Sequence, residues 1–584
     1  MSDQSSHHTM DPITFEVMKN ALLNATEEMA YTIRRTAYST NIKTRADFSC
    51  AFFDASFRVV AQSFSQPAHL SSLKSAVPNA LREYGAGNLA PGDGIILNDP
   101  HRGSSHLNDI ALIAPVDTGK TRLGYLANMA HHVDVGGSTP CSLGVNREIY
   151  QEGIIIPPTK IMRRGEIDEN VLGLVLQNVR APQETGGDLR AQMGANLVGA
   201  RRIAELIDRY DVAQVVAFFD ELLDYTERWA RREIAALPTG EYKATGYRDG
   251  NGLDDDPVRI AVAVRIRDGS ATLDITGSAP QQTGPLNATR ATTLAAIAVV
   301  VKSLIDPRIL VNDGLYRCME VAGPDNTVLT ATWPAAVVGA WELAQLTAEL
   351  TLTAMHEALP GRIPACGKGI ICNLGFAGND PRKEAYYCYM ETVGGGNGAR
   401  PTKDGPDAIQ TTIHNTENAP IEEVEINYPI RFARYCLITD SGGAGRFRGG
   451  LGIRRDFEFP DCDTTFTVLS DGTRFPPWGL EGGGEGRPAR FIRDPEGSTE
   501  ALPSKSSITV PEGGRVSVQT PGGGGFGRPD ERDPEAVVRD VRDRKITPRA
   551  ARETYGVVYD SENWTVDLEK TAALRKRFQE NVVR

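Results

Sequence analysis

Residues 98–137 read NDPHRGSSHLNDIALIAPVDTGKTRLGYLANMAHHVDVGG, and the rest of the chain is organised around them. Four of the nine histidines fall in this stretch: His101, His106, His131 and His132. Asp99, Asp109 and Asp134 stand among them, with glycines at 103, 136 and 137. Neutral imidazole nitrogen and anionic carboxylate oxygen are the ligands that borderline ions such as Zn2+ and Mn2+ accept, so this density of both suits a divalent metal. His106-Leu107-Asn108-Asp109 precedes an apolar run, 110–114, that reads as a buried strand. A second run, 123–130, delivers His131 and His132 at its end. Two neighbouring strands would then hold ligands from different parts of the chain on a rigid frame. The competing reading is a set of ordinary satisfied histidines and loop aspartates; it fits any one of these histidines better than it fits the cluster.

Towards the N-terminus, Asp11-Pro12 opens a helix whose Met18, Leu22, Ala25, Met29 and Ile33 form an apolar stripe at three- and four-residue steps. The piece RADFSCAFFD at 45–54 is strand-like, with Asp47 its polar exception. A carboxylate beside a buried strand needs a partner or a metal, and Arg45 is the partner nearest in sequence. Residues 55–97 read as strand, loop, helix and strand, with His69 at the helix entry. Towards the C-terminus come QEGIIIPP at 151–158, a short strand closed by prolines, and one long helical tract over about 188–236. Alternating strands over 262–266 and 271–275 are split by Asp268-Gly269-Ser270. Helices over 292–305 and 340–359 flank a turn at Trp333-Pro334. The loops 394–398 and 414–420 have the polar density of a site rim, and 421–527 are strands and glycine turns.

These elements predict an α+β, multi-domain protein of mixed β-sheets with packed helices and a β-rich C-terminal half. The expected division is a disordered leader over 1–10, an N-terminal metal-site α/β region over 11–240 and a central α+β region over 241–420. A β-rich glycine-turn region over 421–530 and a helical C-terminal docking tail over 531–584 complete it. His7 and His8 lie in the leader and are discounted as ligands.

A net charge of -12 argues against a nucleic-acid or anionic-membrane binder. No run approaches ~18 consecutive apolar residues, the first ten residues have no apolar core of an export signal, and the eight cysteines form no CxxC pair. They read as reduced, mostly buried thiols, and the cytoplasm is the expected location. Gly119-Lys120-Thr121 resembles the end of a phosphate loop, but the required first glycine is Ala114. GGGGFG at 522–527 fits a dinucleotide fingerprint by letter but is followed by no βαβ unit, so it reads as a turn. No G-x-S-x-G elbow is present.

With those residues in view, the chain resembles the hydantoinase B family. The carrying pieces include DPITFEVMKNAL at 11–22, RADFSCAFFD at 45–54, NDPHRGSSHLNDIALIAPV at 98–116 and HHVDVGG at 131–137. PAAVVGAWE at 334–342, ETVGGGNGA at 391–399, IHNTENAPIE at 413–422, DSGGAGRFRGGLG at 440–452 and TPGGGGFG at 520–527 extend the match over nearly the whole chain. The resemblance implies a subunit that carries a metal site, with ligands at Asp47, His106, Asp109 and His131, and with His132 as the neighbour pointing the other way. His106, Asp109, His131 and His132 are the expected catalytic residues, and Zn2+ is the first choice of ion with Mn2+ the second. HLND at 106–109 replaces the frequent HLPD, and Ser104-Ser105 stand where Gly and Thr are usual.

The same resemblance implies a hydantoinase A-type partner that binds ATP and phosphorylates the substrate, in an α2β2 heterotetramer. Metal-activated water would then attack the activated carbonyl of a cyclic amide: hydantoin, N-methylhydantoin, 5-oxoproline or lactam. This reading stands first because the chain ends soon after TPGGGGFG, whereas the α-type subunit of an ATP-dependent ketone carboxylase, the second reading, tends to be longer. A third, a non-catalytic scaffold for the ATP-binding subunit, is disfavoured by clustered buried carboxylates and imidazoles that cost free energy when unpaired.

Overall fold

Asp11 accepts a hydrogen bond from the Thr14 amide at 2.9 Å and Pro12 fills the first turn, so α1 (Pro12–Thr36) starts where the sequence places it. Its stripe of Met18, Leu22, Ala25, Met29 and Ile33 is buried. The computed structural model describes residues 10–63, 66–119 and 121–582. Most of the leader, with His7 and His8, and Lys120 lie outside the described residues.

The N-terminal helices continue with α2 (Thr40–Lys43), α3 (Pro67–Tyr84), α4 (Glu169–Gln177), α5 (Pro182–Arg209) and α6 (Val212–Ala235). They surround a seven-stranded sheet of β1 (Phe48–Asp54), β2 (Val59–Gln62), β3 (Gly94–Leu97), β4 (Asp109–Thr118), β5 (Thr121–His131), β6 (Thr159–Arg163) and β7 (Glu166–Ile167). The strand order is β2-β1-β5-β4-β3-β6-β7. Both faces are covered. Cys50, Phe52, Leu126 and Ala130 pack with α1, α5 and α6. Ala51, Phe53, Ala111, Ile113, Tyr125, Ala127 and Met129 pack with α3. Side chains alternate along a strand, so from residue 125 onward the odd residues of β5 face α3 and the even ones face α5.

Two elements differ from expectation. The tract over 188–236 is two helices. Tyr210 leaves α5 with extended backbone, and Asp211 starts α6 with its carboxylate on the Gln214 amide at 2.8 Å. No strand forms over 151–158, where Pro157 and Pro158 have no N–H to give a ladder. Asn98 ties that segment down instead, donating to the Ile154 carbonyl at 2.9 Å and accepting from the Ile156 amide at 2.7 Å.

The central sheet of β8 (Gly240–Arg248), β9 (Val258–Arg267), β10 (Ser270–Asp274) and β11 (Met319–Ala322) has the order β11-β10-β9-β8. The turn between β9 and β10 uses left-handed Asp268 and Gly269, at φ 50° and 69°, which matches the twist of a tight hairpin. Helices α7 (Arg290–Leu304), α8 (Asp313–Tyr316) and α9 (Ala340–Met355) complete this core; α9 stops four residues short of the expected end at 359.

Beyond it lie β12 (Asn373–Asp380), β13 (Ala385–Thr392), α10 (Ile421–Asn427), β14 (Arg431–Leu437), β15 (Ile453–Glu458) and β16 (Thr464–Leu469). Then follow β17 (Arg490–Arg493), β18 (Glu500–Leu502), β19 (Lys505–Val510) and β20 (Arg515–Gln519). The sheet β13-β12-β16-β19 takes strands from both sides of residue 420, so that position does not separate two sheets. The second sheet is β14-β15-β20-β17-β18.

Glycine-rich segments at 394–398, 440–452, 479–486 and 520–527 bond to one another outside these ladders. Gly443 donates to the Gly523 carbonyl at 2.8 Å, Gly523 to Gly450 at 2.9 Å, Gly450 to Asn397 at 2.8 Å and Gly525 to Gly484 at 2.9 Å. A Cβ at 450 would stand 1.9 Å from the Pro406 carbonyl oxygen, and one at 523 would stand 2.0 Å from that of Asn397. Neither glycine has positive φ, so closeness of backbone to backbone is what excludes a side chain there. The stretch 522–527, expected as a turn, runs inside this bundle, its Gly523, Gly524 and Gly525 amides each donating to a carbonyl of another segment.

The C-terminal tail of α11 (Pro534–Arg542), α12 (Pro548–Glu553), the short hairpin β21 (Tyr559–Asp560) with β22 (Thr565–Val566), and α13 (Leu568–Val582) packs on its own chain. Arg532 bridges Asp404 at 2.6 Å and Asp540 at 2.7 Å over a small core of Val537, Val541, Ala551 and Tyr555. Six of the eight cysteines are buried, and none is in a disulfide. Among the described residues, no helix is long and apolar enough to cross a membrane.

The bundle predicts a contrast between two glycine substitutions. Gly523→Ala should lower stability by about 1–3 kcal/mol or more, because backbone must move to admit the methyl group. Gly173→Ala, on the exposed face of α4 with nothing within 4 Å of its Cβ, should be neutral or stabilising by up to ~1 kcal/mol. Thermal unfolding midpoints of the two variants check this, and equal midpoints would contradict it.

Candidate metal centre

Strand register builds the first part of the site. Asp109 of β4 lies opposite His131 of β5, and Phe48 of β1 lies opposite Ala130. The residue before Phe48 therefore comes beside His131, whose amide donates to the Asp47 carbonyl at 3.0 Å. Asp47, His131 and Asp109 thus form a row across three adjacent strands. Each shares the parity of the residues that face α3, so all three side chains point to that side of the sheet. His132, one residue on, points to the other side, where its Nε2 lies 3.0 Å from Gln192 Oε1 of α5. His132, expected among the catalytic residues, is thus buried on the face of the sheet opposite to Asp109 and His131.

His106 arrives from the loop ahead of β4. Gly103, at φ 113°, lets that loop lie directly on α3, where a Cβ would meet Ala76 at 2.7 Å. The His106 ring stands nearly perpendicular to that of His131, with centroids 4.8 Å apart. Its Nδ1 is 3.4 Å from Asp109 Oδ2, an oxygen that also accepts from the Ser105 hydroxyl. Ligand atoms of His106, Asp109 and His131 all lie within 4.8 Å of one another, and all three residues are buried. That trio does not extend to Asp47.

His69 links Asp47 to the trio. It sits in the first turn of α3, fully buried, with Nε2 3.4 Å from Asp109 Oδ1 and 3.6 Å from Asp47 Oδ1. Gln66 caps the same corner, its Nε2 3.4 Å from Asp47 Oδ1 and 2.8 Å from the Thr416 hydroxyl. Thr416 in turn meets His414 Nε2 at 2.9 Å. Trp341 of α9 closes the site, with ring centroids 6.2 Å from His69 and 6.4 Å from His106. The buried Glu152 steers α9 into place by accepting from the amides of Val337 at 3.1 Å and Val338 at 2.8 Å. Burial pushes its carboxyl up to about 8 despite those two donors.

The remaining polar residues of the opening stretch serve the chain instead. Asp99 pairs with Arg102, and Asp134 anchors a turn through the amides of Gly136 at 3.0 Å, Cys141 at 3.0 Å and Arg180 at 2.8 Å. His101 Nε2 lies 3.2 Å from the Ala335 carbonyl. Arg45 does not bridge to Asp47; its guanidinium turns to Asn41 and to β13.

Burial would raise both carboxyls, but the neighbouring charges outweigh it. His131, His69 and His414 hold Asp47 below the usual carboxylate range, and His106 and His69 hold Asp109 well below it. Burial, with His106 beside it, pulls His131 down to about 4, and burial pulls His414 to about 3. His69 moves upward, because Asp109 and Asp47 more than offset its burial. His69 Nδ1, His106 Nδ1 and Asp109 Oδ1 are buried without a hydrogen-bond partner. Buried polar atoms rarely go unpaired, and the N and O ligand atoms that His106, Asp109 and His131 bring within 4.8 Å of one another fit a divalent cation.

Sequence reasoning placed His69 and His414 in the right local elements but gave neither a role. The usable signal for His69 was a proline-started helix with a histidine in its first turn. What the sequence lacked was the knowledge that this helix covers the Asp47 face.

A family model described as Hydantoinase B/oxoprolinase matches residues 11–529. A caprolactamase subunit beta from Pseudomonas jessenii is 34% identical over 581 residues, covering 97% of this chain and 99% of that one. The crystal structure of ATP-dependent caprolactamase from Pseudomonas jessenii superposes with a TM-score of 0.89 at 32% identity, over 97% of this chain and 100% of that chain. A nucleotide-free acetone carboxylase superposes with a TM-score of 0.91 over 98% of this chain and 83% of that one, at 19% identity, which is a likeness of fold. With the family model covering most of its length and a relative aligned end to end, the chain belongs to the hydantoinase B/oxoprolinase family.

Proposed function

We propose that this chain is the metal-bearing subunit of an ATP-dependent cyclic-amide hydrolase, working in the cytoplasm with an ATP-binding subunit of A type, two copies of each. The observation that carries the reading is the buried convergence of His106, Asp109 and His131, with Asp47 reached through His69, in a chain of this family. Its relative from Pseudomonas jessenii is named as the beta subunit of a caprolactamase, which supports both the substrate class and the need for a partner.

Asp47, His106, Asp109 and His131 would hold the ion. Two imidazoles favour Zn2+, and two carboxylates keep Mn2+ open. Bound there, a divalent cation supplies Lewis acidity and lowers the pKa of a water to roughly 7. The protein's own groups do the rest. Ser105 orients Asp109 through its hydroxyl, and Trp341 with the apolar strand residues keeps bulk water from the centre. His69 Nε2 is placed to hold a proton between the two carboxylates while its Nδ1 stays free. An amide carbonyl resists attack through its resonance. Phosphorylation of its oxygen on the partner removes that resonance, which this chain, lacking a phosphate loop, does not do itself.

Two outcomes follow. The purified chain alone should consume no ATP and open no ring, whereas adding the A-type subunit should give both; ATP-coupled ring opening of a hydantoin or lactam by the isolated chain would overturn the division of labour. His131→Ala should lose metal and coupled turnover with the fold intact, while His132→Ala should keep its metal. Plasma mass spectrometry of both variants beside wild type decides the point, and full metal occupancy in His131→Ala would remove that residue from the site.

A further inference from the structure

Asn41 of α2 has every polar atom of its side chain committed. Its Oδ1 accepts from Arg45 Nη1 at 2.6 Å, and its Nδ2 donates to the His131 carbonyl at 2.7 Å and lies 3.0 Å from His131 Nδ1. Arg45 is itself fixed. It is fully buried, with Nη1 on the Met390 carbonyl at 2.9 Å and Nη2 on the Thr392 hydroxyl at 2.5 Å, both from β13. Turning the Asn41 amide over would set Oδ1 against the His131 carbonyl oxygen and Nδ2 against an Arg45 N–H. Two bonds would become two repulsions, so the partners settle which end is which.

We propose that Asn41, aimed by Arg45, is a positioning residue that holds His131 in one tautomer, with Nδ1 accepting and the ring proton on Nε2, and that it thereby competes with a cation for this histidine. The inference rests on the metal reading of the site. A histidine ligand ordinarily donates its second ring N–H to an acceptor. Here the group beyond Nδ1 is a donor, so ligation through Nε2 and the Asn41–Nδ1 hydrogen bond exclude one another. The ring is placed for the centre, yet binding an ion there means giving up a bond that Arg45 and β13 hold in place. The affinity of the centre is in this way set by residues that touch no ligand atom other than His131. A carboxylate at position 41 would reverse the sense of the contact: it would accept from Nδ1–H, free Nε2 and pair with Arg45, at the cost of the bond to the His131 carbonyl, which an oxygen in the place of Nδ2 would repel.

Two measurements test this on the full chain. In metal-free wild type labelled with 15N-histidine, solid-state NMR should find His131 protonated on Nε2 with Nδ1 bare, and in Asn41→Asp the proton should be on Nδ1. Competition of Zn2+ and Mn2+ against a chelator should show Asn41→Asp binding about ten-fold tighter than wild type. An Nδ1-protonated His131 in wild type overturns the proposal, as does an affinity in Asn41→Asp that is unchanged or weaker. If wild type takes up neither ion, the metal reading fails instead, and the tautomer still decides the role of Asn41. Should Asn41→Asp not fold, the wild-type tautomer alone decides between the two outcomes.

Discussion

Two carboxylates, Asp47 and Asp109, are buried within reach of one imidazole, and the surrounding architecture answers to that constraint. Removing a carboxylate from water costs several kcal/mol unless opposite charge and hydrogen bonds replace the lost solvent. Among the described residues, no lysine or arginine stands within ion-pair distance of either; histidines do. His69 lies between the two, and His106 lies against Asp109. Each imidazole has to come from outside the strands that carry the acids. A helix must therefore cover that face of the sheet, and a loop must fold over the end of β4. The fold around the site is the set of elements that delivers those rings.

The same need draws in the distant half of the chain. Trp341 reaches the rings from α9, whose entry is held by Glu152, and Arg45 ties the corner before β1 to β13. The glycine bundle fixes what lies behind these contacts. Gly524 donates to the Cys366 carbonyl at 2.8 Å, and the Cys366 amide donates to Trp478 at 3.1 Å, while Gly367 donates to Glu349 of α9 at 3.3 Å. Backbone packed on backbone leaves no side chain to rearrange, so this region transmits position with little give.

Much of this was legible in the sequence, and the failures share a cause. The strands that carry Asp109 and His131 and the cap at Asp11 are legible because apolar runs and capping are local properties, whereas Asp47 is marked only by the family resemblance, since its own surroundings in the sequence point to Arg45. The away-facing parity of His132 is legible in the sequence, but its contact with Gln192, 60 residues on, is not. The break at Tyr210 is masked in the sequence, although Asp211 is a fair N-cap, because apolar spacing runs on across it. GGGGFG looked like a turn because glycine usually means a turn, whereas here it means another backbone less than a methyl group away. What stayed hidden in each case was the identity of the neighbour across space.

The departures from the common family pattern show how tightly the frame is specified. Asn108, where proline is frequent, donates through Nδ2 to the His132 carbonyl at 3.0 Å, and its own carbonyl accepts from the His132 amide at 2.9 Å. A proline there would keep the carbonyl's bond and lose the side chain's, so Asn108 adds a clasp at the end of β5. Ser105, where threonine is usual, keeps a hydroxyl on Asp109, and Ser104 adds a bond to the Asp109 carbonyl at 3.1 Å. Each of these residues makes a hydrogen bond to the strands that carry Asp109 and His131. Apolar burial on both faces of the sheet and these clasps fix where the two side chains stand, and Asn41, Ser105 and Gln66 are the polar neighbours that touch His131, Asp109 and Asp47.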